Sequence, residues 1–185
     1  MAGHSKWAQI KRKKEVTDAA RSRVFSRFAR LITLESKKVG GKIDVPSLKA
    51  VMDRAKAANM PKDNIERAVA KGASKDSGDL EQVLYEAYGP AGVAIIVDAL
   101  TDNRNRTTQE LKHLLSKNSV ELASPGSALW AFTKAADGTF AAKEPLSEVV
   151  GGDEARLSEL LSALDEYEDV QTVYTNARGY EDTRD

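Results

Sequence analysis

A chain of 185 residues with no cysteine, 41% hydrophobic and 30% charged, is expected to fold in an ordered way without disulfides, thiolate metal sites or a thiol nucleophile. No apolar run approaches the ~20 residues that span a bilayer, and the basic opening segment lacks a secretory apolar stretch, so the expected location is cytoplasmic, away from any membrane. The 28 basic and 28 acidic side chains cancel in total but not in place: residues 1–75 hold 19 Lys or Arg against 7 Asp or Glu, and residues 76–185 hold 9 against 21. A basic end joined to an acidic body points to a polyanion-binding surface.

Residues 1–17 read as a basic, extended arm, with His4, Ser5, Lys6 and Trp7 followed by the cluster Lys11, Arg12, Lys13 and Lys14. From Asp18, a plausible N-cap by type, the pattern becomes helical. Val24, Phe25, Phe28, Leu31 and Ile32 recur at the three-and-four spacing of one face, and Gly40-Gly41 stops the run. Arg21, Arg23, Arg27 and Arg30 occupy the remaining surface and extend the basic stripe. A second helix near Ser47–Ala58 buries Leu48, Val51, Met52 and Ala55. Pro61 opens a third that carries Ile65, Ala68 and Val69 and closes at Gly72. Residues 18–75 therefore form a three-helix domain, and the polar stretch 73–79 is a linker.

The period shortens beyond it. Val83–Tyr88 is a leading strand, Gly89-Pro90 a turn, and Val93 to Leu100 a central strand covered on both faces. Thr107 with Glu110 gives a capping-box pattern ahead of Leu111, Leu114 and Leu115. Short strands are expected at Val120–Ala123 and Ala128–Thr133. Asp153 then caps a helix with Leu157, Leu160, Leu161 and Leu164, and Asp169–Thr175 is the last strand. The order defines an α+β fold in which residues 76–185 make a ferredoxin-like, split βαβ domain with an extra leading strand. Arg178–Asp185 reads as a frayed tail.

Convergent reactive groups are not found. His4 and His113 are the two histidines, and no HExxH, GxSxG or P-loop pattern occurs, so the expectation is no catalytic residue, no metal, no cofactor and no small-molecule substrate. The cationic candidates are Lys6, Lys11–Lys14, Arg21, Arg23, Arg27 and Arg30, since neutralising phosphates releases condensed counterions whatever the base sequence. Trp7 has two readings: it stacks on an exposed base, or its buried ring pins the arm to the helical domain. Arg104 and Arg106, with Asn103 and Asn105, precede a helix N-terminus and suggest an anion site; pairing with Asp98 or Asp102 is the alternative. Trp130 and Phe132 alternate on one strand face and are read as core, because the basic-glycine-aromatic signature of an RNA-recognition motif is missing around them.

Several stretches carry a resemblance. Ala2-Gly-His-Ser-Lys-Trp7, the run from Ala57 to Arg67, Tyr88-Gly-Pro90 with Gly92-Val93, the run from Leu100 to Thr107, and the run from Asp169 to Asn176 are similar to the YebC family. That family includes bacterial proteins called probable transcriptional regulators and mitochondrial translational activators of cytochrome c oxidase. The resemblance implies control of gene expression through nucleic acid, with His4, Ser5, Lys6, Trp7, residues 59–63, Arg104 and Arg106 as matching positions and no catalytic residue to carry over. Family members usually have a third domain between the Trp130 strand and the Leu157 helix; residues 134–152 here are a shortened remnant. The favoured expectation is a translation factor bound to ribosomal or messenger RNA or to the ribosome. A DNA-binding transcriptional regulator is the first alternative, and a protein-interaction module using the acidic half the second.

Overall fold

The segment expected as an extended arm is helical, α1 (Lys6–Lys14), in a computed structural model that describes residues 6–14, 17–75 and 78–183, with backbone alone for 11–14. Nine residues are too few for a periodic signal. Two apolar side chains three apart, Trp7 and Ile10, are enough to seat the helix. The chain divides into two compact units, one made of residues 16–81 and the other of residues 1–15 together with 82–185. The short basic helix thus belongs to the sheet-bearing unit.

The helical unit holds α2 (Asp18–Val39), α3 (Pro46–Ala57) and α4 (Lys62–Ala73). Thr17, rather than Asp18, caps α2: its Oγ1 accepts from the Ala20 N–H at 3.3 Å, and Asp18 lies in the first turn. Gly40 closes the helix in the left-handed region, at φ 62°, and the Gly41 N–H bonds to the Ser36 carbonyl at 2.9 Å. Phe28, Ile32, Leu48, Ala55, Met60, Ile65 and Ala68 form the core. Gly72 does not end α4, as the sequence suggested, but lies within it. A Cβ there would stand 2.3 Å from the Thr33 carbonyl oxygen and 2.6 Å from Ser36 Cβ. Glycine is what lets α2 and α4 come this close, and the Ser36 hydroxyl then donates to the Val69 carbonyl at 2.7 Å.

In the other unit, β1 (Glu81–Tyr88), β2 (Ala94–Thr101) and β5 (Val170–Thr175) form a sheet in the order β1-β2-β5. Strands β2 and β5 are antiparallel, with Ile95 opposite Thr175 and Val97 opposite Val173. All eight residues of β2 are buried, as the continuous β-branched run requires. On one face Val83, Tyr85, Ile95, Val97 and Val173 join Leu111 and Leu115 of α5 (Arg104–Lys117), four leucines of α6 (Gly152–Glu166), and Trp7. The other face, Ala94, Ile96 and Tyr174, packs with Ala128, Ala131, Phe132 and Phe140. The fold is α+β: N-terminal helices, then an antiparallel sheet backed by helices.

The expected strands at 120–123 and 128–133 do not extend that sheet. Leu122 makes a single bridge to Ala87, and residues 129–131 are a 3-10 turn. It leads into β3 (Phe132–Lys134), which pairs with β4 (Phe140–Ala142) as a separate hairpin. The cause is Glu86. Its buried carboxylate accepts the N–H groups of Gly126 at 2.5 Å, Ala128 at 2.6 Å and Leu129 at 3.2 Å. Amides held by a carboxylate are withdrawn from a strand ladder. Helix α5 also starts earlier than the capping-box pattern implied. Asn103 is the cap and accepts from the Arg106 N–H at 3.1 Å, while Thr107 is buried inside the helix. Gly151, at φ 62°, precedes α6, with Asp153 in its first turn. The tail is not frayed over Arg178–Thr183: Tyr180 and Thr183 are buried, and the Thr183 N–H bonds to the Val173 carbonyl at 2.9 Å.

Candidate nucleic-acid interface

Residues that look contiguous along the sequence lie in two different bodies. His4 and Ser5 fall outside the described residues, as do the side chains of Lys11, Arg12, Lys13 and Lys14. Lys6 Nζ donates to Glu154 Oε1 at 2.6 Å, which raises the ammonium pKa and lowers that of the carboxyl. The Tyr180 hydroxyl adds a second bond to the same carboxylate at 3.1 Å. Trp7 is 3% exposed, and its backbone N–H donates to the Gly179 carbonyl at 3.1 Å. The ring is therefore turned away from any base. It pins α1 to the sheet unit, not to the helical domain that the sequence pattern suggested.

The helical unit carries fourteen Lys or Arg against nine Asp or Glu over residues 16–81. Several of those cations are neutralised locally. Lys37 pairs with Asp79 at 2.6 Å, Lys38 with Glu35 at 2.6 Å, Lys56 with Asp53 at 3.2 Å and Lys62 with Glu66 at 3.5 Å. Arg23, Arg27 and Arg30 recur at helical spacing and share one stripe of α2. Arg27 is buried, which corrects its assignment to the open surface, and Arg23 and Arg30 are half-buried. Arg21 is exposed, and among the described residues no carboxylate pairs with Arg21 or Arg23.

Arg104 and Arg106 separate in role. Arg106 reaches Asp169 at 2.9 Å and Asp102 at 3.0 Å, and the bond to buried Asp169 is the main reason its guanidinium pKa is raised. Asp169 also accepts from the Thr107 hydroxyl at 2.6 Å and the Tyr167 hydroxyl at 3.1 Å, so this network ties the start of α5 to the segment entering β5. Of the two alternative partners foreseen, Asp102 is used. Asp98 is instead held by Gln82 Nε2, 2.9 Å from each of its oxygens. Arg104, the first residue of α5, is exposed, with no carboxylate partner among the described residues.

Sequence reasoning missed Trp130. Phe132 is buried as expected, but Trp130 is 63% exposed and is not core. The 3-10 turn over 129–131 breaks the two-residue alternation that put both rings on one face. Trp130 Nε1 donates to the Tyr88 hydroxyl at 2.8 Å, and that hydroxyl donates to the Ser127 carbonyl. Lys143 Nζ donates to the Trp130 carbonyl at 2.9 Å. No local motif signals this arrangement, because its partners lie some forty and thirteen residues away in the chain.

Two family models match the chain, the TACO1/YebC protein N-terminal domain over residues 5–75 and the TACO1/YebC second and third domain over residues 80–150. A "Probable transcriptional regulatory protein" of Thermosipho africanus (strain TCF52B) is 49% identical over 136 residues, covering 72% of this chain and 54% of its own length. One of Francisella tularensis subsp. novicida (strain U112) is 52% identical over 136 residues, covering 72% and 55%. The chain thus spans about half the length of the curated relatives it matches. The crystal structure of a conserved hypothetical protein from Aquifex aeolicus is similar with a TM-score of 0.82 at 29% identity, covering 94% of this chain and 97% of that one.

Proposed function

The chain belongs to the TACO1/YebC family, and from that premise we propose that it is a non-enzymatic, nucleic-acid-binding regulator of gene expression that acts on RNA or at the ribosome. The carrying observation is Arg21 and Arg23 at the start of α2, free of carboxylate partners among the described residues, in a unit where Lys and Arg exceed Asp and Glu by fourteen to nine. Phosphates gain most from cations that are not already neutralised. Arg104, open at the start of α5, is a third cation of the same kind, in the other unit. The relatives' name supports a regulatory role.

Duplex DNA is the alternative that the relatives' name favours. Phosphate contacts carry no base information, so Arg21 and Arg23 of α2 serve either polymer, and the choice between them rests on the sedimentation experiment below.

Reversing charge at Lys11, Arg12, Lys13 and Lys14 together, and separately at Arg21 and Arg23, should weaken binding to RNA. The slope of log affinity against log salt should fall by ~0.7 for each phosphate that is no longer neutralised. Wild-type affinity at low salt in both variants would remove the reading. Sucrose-gradient sedimentation of lysate separates the two polymers. Co-migration with ribosomal particles after DNase, released by RNase, is expected; sequence-selective retention on duplex DNA would instead establish the alternative.

A further inference from the structure

We propose that Trp130 is a stacking platform for an unpaired base of single-stranded RNA, an assignment that rests on the nucleic-acid reading above. A tryptophan ring left 63% exposed forgoes a large apolar burial. Yet this one has its indole N–H bonded and its backbone held at the residue and in the loop before it. Glu86 fixes the preceding loop through three backbone N–H groups, Tyr88 takes the indole N–H, and Lys143 grips the Trp130 carbonyl. A side chain already immobilised loses little rotamer freedom when it is covered.

The chemistry of the ring narrows the occupant. A tryptophan at a protein–protein interface characteristically offers both its apolar body and its N–H donor to the partner. Here the donor is occupied by Tyr88, and what remains is the π-face. Stacking uses that face alone and is tolerant of base identity. A cation that a phosphate chain could meet stands at the same residue: Lys143, exposed, has its Nζ 2.9 Å from the Trp130 carbonyl. Tyr88, 38% exposed at the end of β1, adds a second aromatic surface beside the first.

The protein reports on its own site. Its two tryptophans are Trp7, buried, and Trp130, exposed, so acrylamide-accessible fluorescence arises from Trp130. Titration with a short oligouridine should quench that emission and protect it from acrylamide, whereas a blunt RNA duplex should bind through charge without protecting it. Trp130→Ala should weaken oligouridine binding about tenfold, as removal of one stacked base does, and Trp130→Phe should restore most of it. Circular dichroism of both variants should match wild type, since the ring lies outside the core. Unchanged oligouridine affinity in Trp130→Ala, with binding abolished on charge reversal at Arg21 and Arg23, overturns the platform and leaves the RNA reading standing. Wild-type protein that binds no RNA overturns both. Protection of Trp130 by a polylysine peptide but not by oligouridine assigns the ring to a basic protein partner and overturns the proposal.

Discussion

Trp7 and Asp98 show how a single side chain changes meaning once its surroundings are known. Removing the Trp7 ring takes a large buried group out of the core that α1, α6 and the tail share with the sheet. Trp7→Ala should therefore destabilise the protein by ~3–5 kcal/mol, read from the urea midpoint. Trp7→Phe should lose less, because the indole N–H is buried without a hydrogen-bond partner among the described residues. Asp98 is a carboxyl whose pKa is raised, chiefly by burial and in spite of the Gln82 bond. A carboxyl raised on folding favours its protonated form, so its penalty is complete above the folded pKa, fades as pH falls through that value towards the ordinary 3.8, and is gone below it. Asp98→Asn should raise the melting temperature at neutral pH, with the gain vanishing in scans below that value. A lower melting temperature at neutral pH would mean that the charge stabilises the fold. Neither behaviour was legible beforehand. The choice between two roles for Trp7 lacked the long-range partner Gly179, and Asp98, offered by the sequence as a partner for Arg104 or Arg106, is held by Gln82 instead.

Among the elements, those set by local periodicity were read well. Helices α2 and α3 fall within a residue of their expected bounds because apolar spacing, Gly40-Gly41 and proline near the start act over a few residues. Caps were misplaced where two suitable residues compete, as with Thr17 beside Asp18 and Asn103 ahead of Thr107. Asn103→Ala should cost ~1 kcal/mol and loosen the first turn that carries Arg104, measurable by amide exchange at Arg106. The strand expected over 128–133 begins only at Phe132 because Glu86, about forty residues upstream, holds the amides of Gly126, Ala128 and Leu129. Gly72 has the residue type of a stop signal, but its role is steric. Gly72→Ala should destabilise the helical unit by ~1–3 kcal/mol, since the methyl group meets the Thr33 carbonyl rather than a side chain that can move aside. A neutral outcome in chemical denaturation would show that α2 and α4 can part without penalty. For the candidate interface, arginine spacing on α2 was visible in the sequence, but the burial of Arg27 and the two carboxylates on Arg106 were not.

For the molecule as a whole, the decisive fact is that residues 16–81 are an insertion: the chain begins in the sheet unit, leaves it, and returns. Charge counted along the sequence joined Lys11–Lys14 to the α2 arginines as one stripe, whereas folding assigns them to separate bodies. Their contributions to polyanion binding should accordingly be measured one group at a time. The same topology governs what happens if the backbone is severed. Lys75 is exposed, and hydrolysis of the bond after it by trypsin would split the polypeptide into residues 1–75 and 76–185. With Trp7 still clasped by the larger piece, the two halves should elute together from a sizing column under native conditions and come apart only in denaturant. In this architecture the amino terminus works as a latch, so that a broken tether does not set the cationic half adrift.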